Sequence, residues 1–192
     1  DPLVNDAYSG LQEITYYIKN MGEITESGTL YTFDEVNPQH SDLLKTWNGE
    51  ITVSSELNNS NDVELIIEAT DNAKNISVET LPLSIDTTAP EITVSFDNNR
   101  PQNGLFRNSR KATIRVTERN FSRDYVNLII SHNGREYTPT VSWTPSGGTG
   151  NGDNTVWTAE VPFSNDGEYT LKVDCSDLAA NKSGEVKYAE GT

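Results

Sequence analysis

Apolar and polar residues alternate with a period of two along much of this chain. Ala112, Ile114 and Val116 share one parity, with Thr113, Arg115 and Thr117 on the other. Leu171, Val173 and Cys175 alternate with Lys172 and Asp174. Trp157, Ala159, Val161 and Phe163 form a third such row, and Ile14, Tyr16 and Ile18 a fourth. Side chains of a β-strand point to opposite faces in turn, so each row predicts a strand with one buried face. Turn-forming clusters fall between the rows, at Asn58-Asn59-Ser60-Asn61, Asn98-Asn99, Asn133-Gly134 and Asp166-Gly167. No stretch shows the spacing of an amphipathic helix. Many short strands separated by turns predict an all-β sandwich.

The pattern repeats. Asp71-Asn72-Ala73-Lys74-Asn75 recurs 106 residues later as Asp177-Leu178-Ala179-Ala180-Asn181. An alternating strand precedes each copy, with Leu65, Ile67 and Ala69 before the first and Leu171, Val173 and Cys175 before the second. Ser77 and Ser183 follow at the same distance. Trp47-Asn48-Gly49-Glu50-Ile51 pairs in the same way with Trp157-Thr158-Ala159-Glu160-Val161, 110 residues on. Two landmarks in one order at nearly one offset predict two copies of one fold, residues 1–87 and 88–192. Their junction is Asp86-Thr87-Thr88-Ala89-Pro90. Pro90 fixes its own φ and biases Ala89 toward an extended shape, so a short, stiff linker is expected.

These residues resemble the bacterial Ig-like repeats that occur in tandem on cell-surface proteins and adhesins. The resemblance rests on the Asp-Thr-Thr-Ala-Pro linker, the two Asp-x-Ala-x-Asn turns and Asp6-Ala7-Tyr8-Ser9-Gly10-Leu11 before the Tyr16-Tyr17 strand. Val116-Thr117-Glu118-Arg119-Asn120-Phe121 and Asp166-Gly167-Glu168-Tyr169 add to it. It implies two consecutive immunoglobulin-like antiparallel β-sandwiches. It also implies a non-catalytic spacer or stalk in a bacterial extracellular surface protein, beside neighbouring repeats of the same chain. The alternative it leaves is a carbohydrate- or host-protein-binding module, such as an accessory domain of a secreted glycoside hydrolase. Some family members bind calcium at their linkers, which makes calcium the candidate cofactor. Tyr169 matches the tyrosine-corner position of Ig folds, with Leu171 where an antibody domain carries its second cysteine.

Composition narrows the chemistry. Among 192 residues there is one cysteine, Cys175, so no disulfide can close within the chain. The net charge is −15 and is uneven: residues 1–88 hold 16 acids and 3 bases (net −13), residues 89–192 hold 13 acids and 11 bases (net −2). Such an acidic first half argues against nucleic acid as a partner, because phosphates would be repelled. No run of about 18 apolar residues is present to cross a membrane. The chain opens on Asp1 and reads as a fragment of a longer protein, expected to be monomeric.

Four aspartates, Asp6, Asp71, Asp86 and Asp177, fall at strand ends or linkers and are the candidate metal ligands, since calcium takes several oxygens at once. Each could equally cap its own turn. Seven bases between Arg100 and Arg123 could meet an anionic polymer such as a cell-wall glycan, or could simply solvate a strand face. Trp143 and Tyr137 could stack on a sugar or pack at a sheet edge. Ser146-Gly147-Gly148-Thr149-Gly150-Asn151-Gly152-Asp153 lacks the lysine of a phosphate-binding loop and reads as a hairpin loop. His40 and His132 lie near turns, with no nucleophile motif beside them, so no enzymatic activity is expected.

Overall fold

The computed structural model describes residues 3–5, 9–33, 46–98, 101–103, 105–146 and 155–189. The chain divides into two compact units, Asp1–Asp86 and Thr87–Thr192. Both are built from antiparallel strands, and the described residues contain no α-helix, only a 3-10 turn at Arg123–Tyr125. None of their helical segments is long and apolar enough to cross a membrane.

The first unit contains β1 (Leu3–Asn5), β2 (Leu11–Asn20), β3 (Glu23–Thr32), β4 (Thr46–Asn48), β5 (Ser60–Asp71) and β6 (Ile76–Ile85). Four of them form a sheet in the order β3-β2-β5-β6, and β1 pairs with β4. Alternation selects the buried face. Val63, Leu65, Ile67 and Ala69 of β5 lie beside Leu11, Ile14 and Ile18 of β2 in one apolar cluster. Trp47, Ile51 and Val53, from the segment after β4's start, pack against that cluster. Tyr16 is only half-buried, although it shares the parity of Ile14 and Ile18. The register between β2 and β3 shifts twice along this stretch, which turns the strand as it goes. Met21 and Gly22, both at positive φ, close the β2–β3 hairpin.

Asn58 is the polar hinge of this unit and is fully buried. Its Nδ2 donates to Glu26 Oε1 at 2.6 Å and to the Ser54 carbonyl at 2.9 Å. Its Oδ1 accepts from the Thr25 hydroxyl at 2.6 Å. Ser54 N–H donates to the same Glu26 oxygen. One side chain thus fastens the 54–58 loop to β3.

The second unit contains β7 (Glu91–Phe96), β8 (Arg110–Thr117), β9 (Val126–His132), β10 (Arg135–Tyr137), β11 (Thr144–Ser146), β12 (Val156–Phe163), β13 (Tyr169–Cys175) and β14 (Val186–Ala189). They form two four-stranded sheets, β11-β12-β8-β7 and β10-β9-β13-β14. Ala112, Ile114, Val161 and Phe163 from the first meet Leu128, Ile130, Tyr169, Leu171 and Val173 from the second in one buried cluster. Two sheets sharing a core of alternate residues make a β-sandwich-like layer pair. Asn133 and Gly134, both at positive φ, form the two-residue turn between β9 and β10. The Tyr169 hydroxyl donates to the Asn165 carbonyl at 3.2 Å, tying the start of β13 to the preceding loop.

The two Asp-x-Ala-x-Asn segments close the last hairpin of each unit with the same bonds. Asp71 N–H donates to the Asn75 carbonyl, and Asn75 returns its own N–H and its Nδ2 to the two Asp71 oxygens at 2.7 Å each. Asp177 and Asn181 repeat this at 3.1, 2.9 and 2.8 Å. The residue in the left-handed region is Lys74 (φ 69°) or Ala180 (φ 67°). The asparagine therefore serves as a side-chain donor; it does not supply the left-handed φ that its residue type suggests. The tryptophan pair matches less well. Trp47 lies on the three-residue β4 and Trp157 on the eight-residue β12, and both are half-buried.

Replacing Asn58 with alanine removes three hydrogen bonds of a buried side chain, to the Thr25 hydroxyl, the Glu26 carboxylate and the Ser54 carbonyl, and is expected to cost about 2–3 kcal/mol. Chemical denaturation followed at each unit separately should show the first unit's transition move to lower denaturant and the second unit's stay in place.

Candidate functional site

Each proposed metal ligand has a distinct setting. Asp6 lies outside the described residues. Asp71 belongs to its own turn: besides Asn75, the Ser9 hydroxyl donates to its Oδ2 at 2.7 Å. These bonds, the Asn75 side chain first and Ser9 next, hold the Asp71 carboxyl below its ordinary range. All ten residues of β6 separate Asp71 from Asp86. At about 3.3 Å per residue that is on the order of 33 Å, so these two aspartates cannot share an ion.

Asp86 and Asp177 do come together, and Glu118 joins them. One oxygen from each carboxylate lies within 4.8 Å of the others, the one such group of three among the described residues. Asp86 is the residue immediately before Thr87, where the second unit begins. Glu118 follows β8 and Asp177 follows β13, at the same end of the second unit. The Leu178 N–H to Asn120 carbonyl bond joins their two loops at 3.1 Å. Glu118 and Asp177 are 3% and 2% exposed.

Glu118 was not among the sequence candidates, but its signal is there. It continues the inward parity of Ala112, Ile114 and Val116 by one step, which carries a carboxylate into the interior. Glu118 Oε1 accepts from Asn120 N–H at 2.7 Å, and its own N–H donates to the Thr155 carbonyl. Burying carboxylates this close is costly unless hydrogen bonds and positive charge offset it, because burial strips the water that would screen them. The donor set is oxygen only, the ligand type a hard cation such as calcium takes, and the cluster brings together one oxygen from each of three carboxylates. Arg119, next to Glu118 in the chain and 7% exposed, is a second source of positive charge nearby in sequence.

Several of the other sequence candidates are engaged within the second unit. The run of bases does not form one patch. Arg110 and Arg119 are buried, and the Arg110 guanidinium sits over the Phe96 and Phe106 rings at 4.1 and 3.8 Å. Lys111 pairs with Glu160 at 2.8 Å, which raises its pKa, and Arg123 lies 3.7 Å from Asp124. Arg100 lies outside the described residues. Trp143 is half-buried and packs on Phe121 at 5.2 Å, with Trp157 stacked on the same ring at 4.8 Å. Tyr137 is 45% exposed on β10. His132 stacks flat on Tyr169 at 4.4 Å, with its Nε2 2.9 Å from the Asp166 carbonyl. His40 and the glycine-rich stretch 147–154 lie outside the described residues. Cys175 is buried, and desolvation pushes its thiol up to about 11, so little thiolate forms at neutral pH.

A groove of about 490 Å³ opens at one end of the second unit, between Phe106–Arg110 and Phe163–Tyr169. Its walls carry both signs, Arg107 and Arg110 against Asp166 and Glu168, so it has no net preference for an anion or a cation.

Because the folded Asp71 carboxyl titrates below its unfolded value, its bonds stabilise the first unit above the ordinary carboxylate range. That contribution is lost as pH falls through the lowered folded value. Replacing Asp71 with asparagine should therefore weaken the first unit at pH 7 and flatten its loss of stability in acid, measured by denaturant midpoints from pH 7 down to pH 2.

No family model matches this chain, and no curated protein matches it.

Proposed function

We propose that this chain is a pair of immunoglobulin-like repeats that act as a non-catalytic spacer in a bacterial extracellular surface protein or adhesin. The observation that carries this reading is how the recognition-type side chains are used. The tryptophan rings pack on Phe121 or on the first unit's core, His132 stacks on Tyr169, Arg110 lies buried over two phenylalanine rings and Lys111 pairs with Glu160, while Tyr137 and Arg123 stay exposed. Three further features support it. The second unit's sheet orders, β7-β8-β12-β11 and β10-β9-β13-β14, are compatible with the A-B-E-D and C′-C-F-G orders of an immunoglobulin domain. The first unit's β3-β2-β5-β6 order repeats the β10-β9-β13-β14 order, down to the Asp–Asn turn before the last strand. Tyr169 makes the upstream backbone bond of a tyrosine corner.

Exchanging both units, within the full surface protein, for two unrelated immunoglobulin-like repeats of equal length tests the spacer role. Cells carrying the exchanged protein are expected to adhere as before. A loss of adhesion with surface display intact would favour the alternative, a module that binds glycan or host protein directly.

Calcium is the proposed cofactor, held by Asp86, Glu118 and Asp177 where the linker enters the second unit. An ion there would neutralise two buried carboxylates and fasten the linker end to the second unit's loops. Titration calorimetry of the chelator-treated chain should give a heat of calcium binding that disappears when Asp86→Asn and Glu118→Gln are combined. Equal, negligible heats from both proteins would leave Arg119 as the source of compensating charge.

A further inference from the structure

The last strand of the first unit is exposed over most of its length, and its outer edge pairs with no other strand among the described residues. β6 ends the sheet order β3-β2-β5-β6. The opposite edge, β3, is interrupted by two register shifts and carries Glu23, Glu26 and Gly28, features that discourage strand addition. Over its first half β6 has neither register shifts nor a glycine, and its one charged residue is Glu79. Its pairing with β5 is regular from Thr70↔Ile76 to Val63↔Leu83, and its ten residues include no lysine or arginine.

The register tells which backbone groups face outward. The Asp71 N–H to Asn75 carbonyl bond makes Asp71 and Asn75 a hydrogen-bonded pair. Pairs of an antiparallel ladder alternate between bonded and non-bonded. Continuing from that turn, Ala69↔Ser77, Ile67↔Glu79 and Leu65↔Leu81 are bonded pairs. Thr70↔Ile76, Glu68↔Val78, Ile66↔Thr80 and Glu64↔Pro82 are not. Pro82 agrees independently, since a residue without an N–H fits only the non-bonded class. Ile76, Val78 and Thr80 therefore point their N–H and C=O groups away from β5, into the open edge. Their side chains are exposed as well, Ile76 at 62% and Val78 at 55%. Pro82 removes the next donor and ends the usable stretch.

We propose that the Ile76–Thr80 edge of β6 accepts an extended segment of another protein as an added antiparallel strand, and that this segment alternates apolar residues with lysine or arginine. Backbone bonds to three alternate residues supply the docking, as in other strand-addition complexes. Charge selects the partner. Residues 1–88 carry net −13, so a second copy of the chain would be repelled. Acids flank the edge on both faces. Glu68 and Glu64 lie opposite Val78 and Pro82 on one face, and Glu79 is exposed on the other. An added strand would lie about 5 Å from β6 and about 10 Å from β5, so a basic side chain lying across Val78 reaches the Glu68 row. This inference stands apart from the spacer reading, because its binding element is backbone and its experiment uses the purified chain alone.

The test is binding of a nine-residue synthetic peptide alternating lysine with valine, against the same peptide with glutamate for lysine. The wild-type chain should bind the lysine peptide at least tenfold more tightly than the glutamate peptide. Val78→Pro removes an edge donor without touching the β5 ladder, so it should keep the thermal transition and weaken peptide binding tenfold or more. Thr80→Pro serves as the second variant where Val78→Pro lowers stability. Hydrogen exchange of the wild-type complex should show new protection at the Ile76, Val78 and Thr80 amides. Unchanged binding by the folded proline variants, or protection elsewhere, overturns the edge assignment. Equal binding of the two peptides, or a dimer of the free chain by sedimentation, overturns the basic partner.

Discussion

The Asp–Asn clasp at the last turn of each unit is the constraint on which the remaining geometry depends. A strand that slips by one residue turns its entire apolar row to solvent. In the first unit the clasp closes Asp71 on Asn75, and the register it sets continues unbroken to Val63↔Leu83. Val63, Leu65, Ile67 and Ala69 are buried as a consequence, and the alternate amides of β6 are left facing outward. In the second unit the same clasp closes Asp177 on Asn181, beyond the buried row Leu171, Val173 and Cys175. Two different sets of core side chains are thus aligned by one local arrangement of five residues.

The clasp has different surroundings in the two units, and that difference is where chemistry enters. Asp71 remains partly exposed and draws a third donor from Ser9, so its charge is met by hydrogen bonds. Asp177 takes the same two Asn181 donors but is buried, with carboxylate oxygens of Glu118 and Asp86 close by. A turn that is purely structural in one copy becomes part of a carboxylate cluster in the other because a linker residue and the end of β8 arrive next to it.

Strand rows were the most legible part of the sequence, since burial of alternate residues is a local consequence of the pleat. Ala112, Ile114, Val116, Leu171, Val173, Cys175, Ala159, Val161 and Phe163 are all buried as their parity requires. Bulges are less legible: the two shifts along β2 leave Tyr16 half-buried in a row that reads as continuous. Pairings distant in sequence are the least legible. The Asp86 and Asp177 carboxylates were candidates by their position at strand ends, but their partner Glu118 follows from the parity of β8 only when that parity is carried one residue past the strand. The dispersal of the basic run has the same origin, because Phe96, Phe106 and Glu160, which receive Arg110 and Lys111, come from separate segments.

Residue-resolved hydrogen exchange along β6 tests this account most directly, because the clasp, the register, the buried row and the open edge all depend on the same alternation. The account predicts slow exchange at the amides of Ser77, Glu79 and Leu81, which donate to β5, and fast exchange at Ile76, Val78 and Thr80 in the free chain. Uniform protection along the strand, or protection on the even residues in place of the odd, would contradict it.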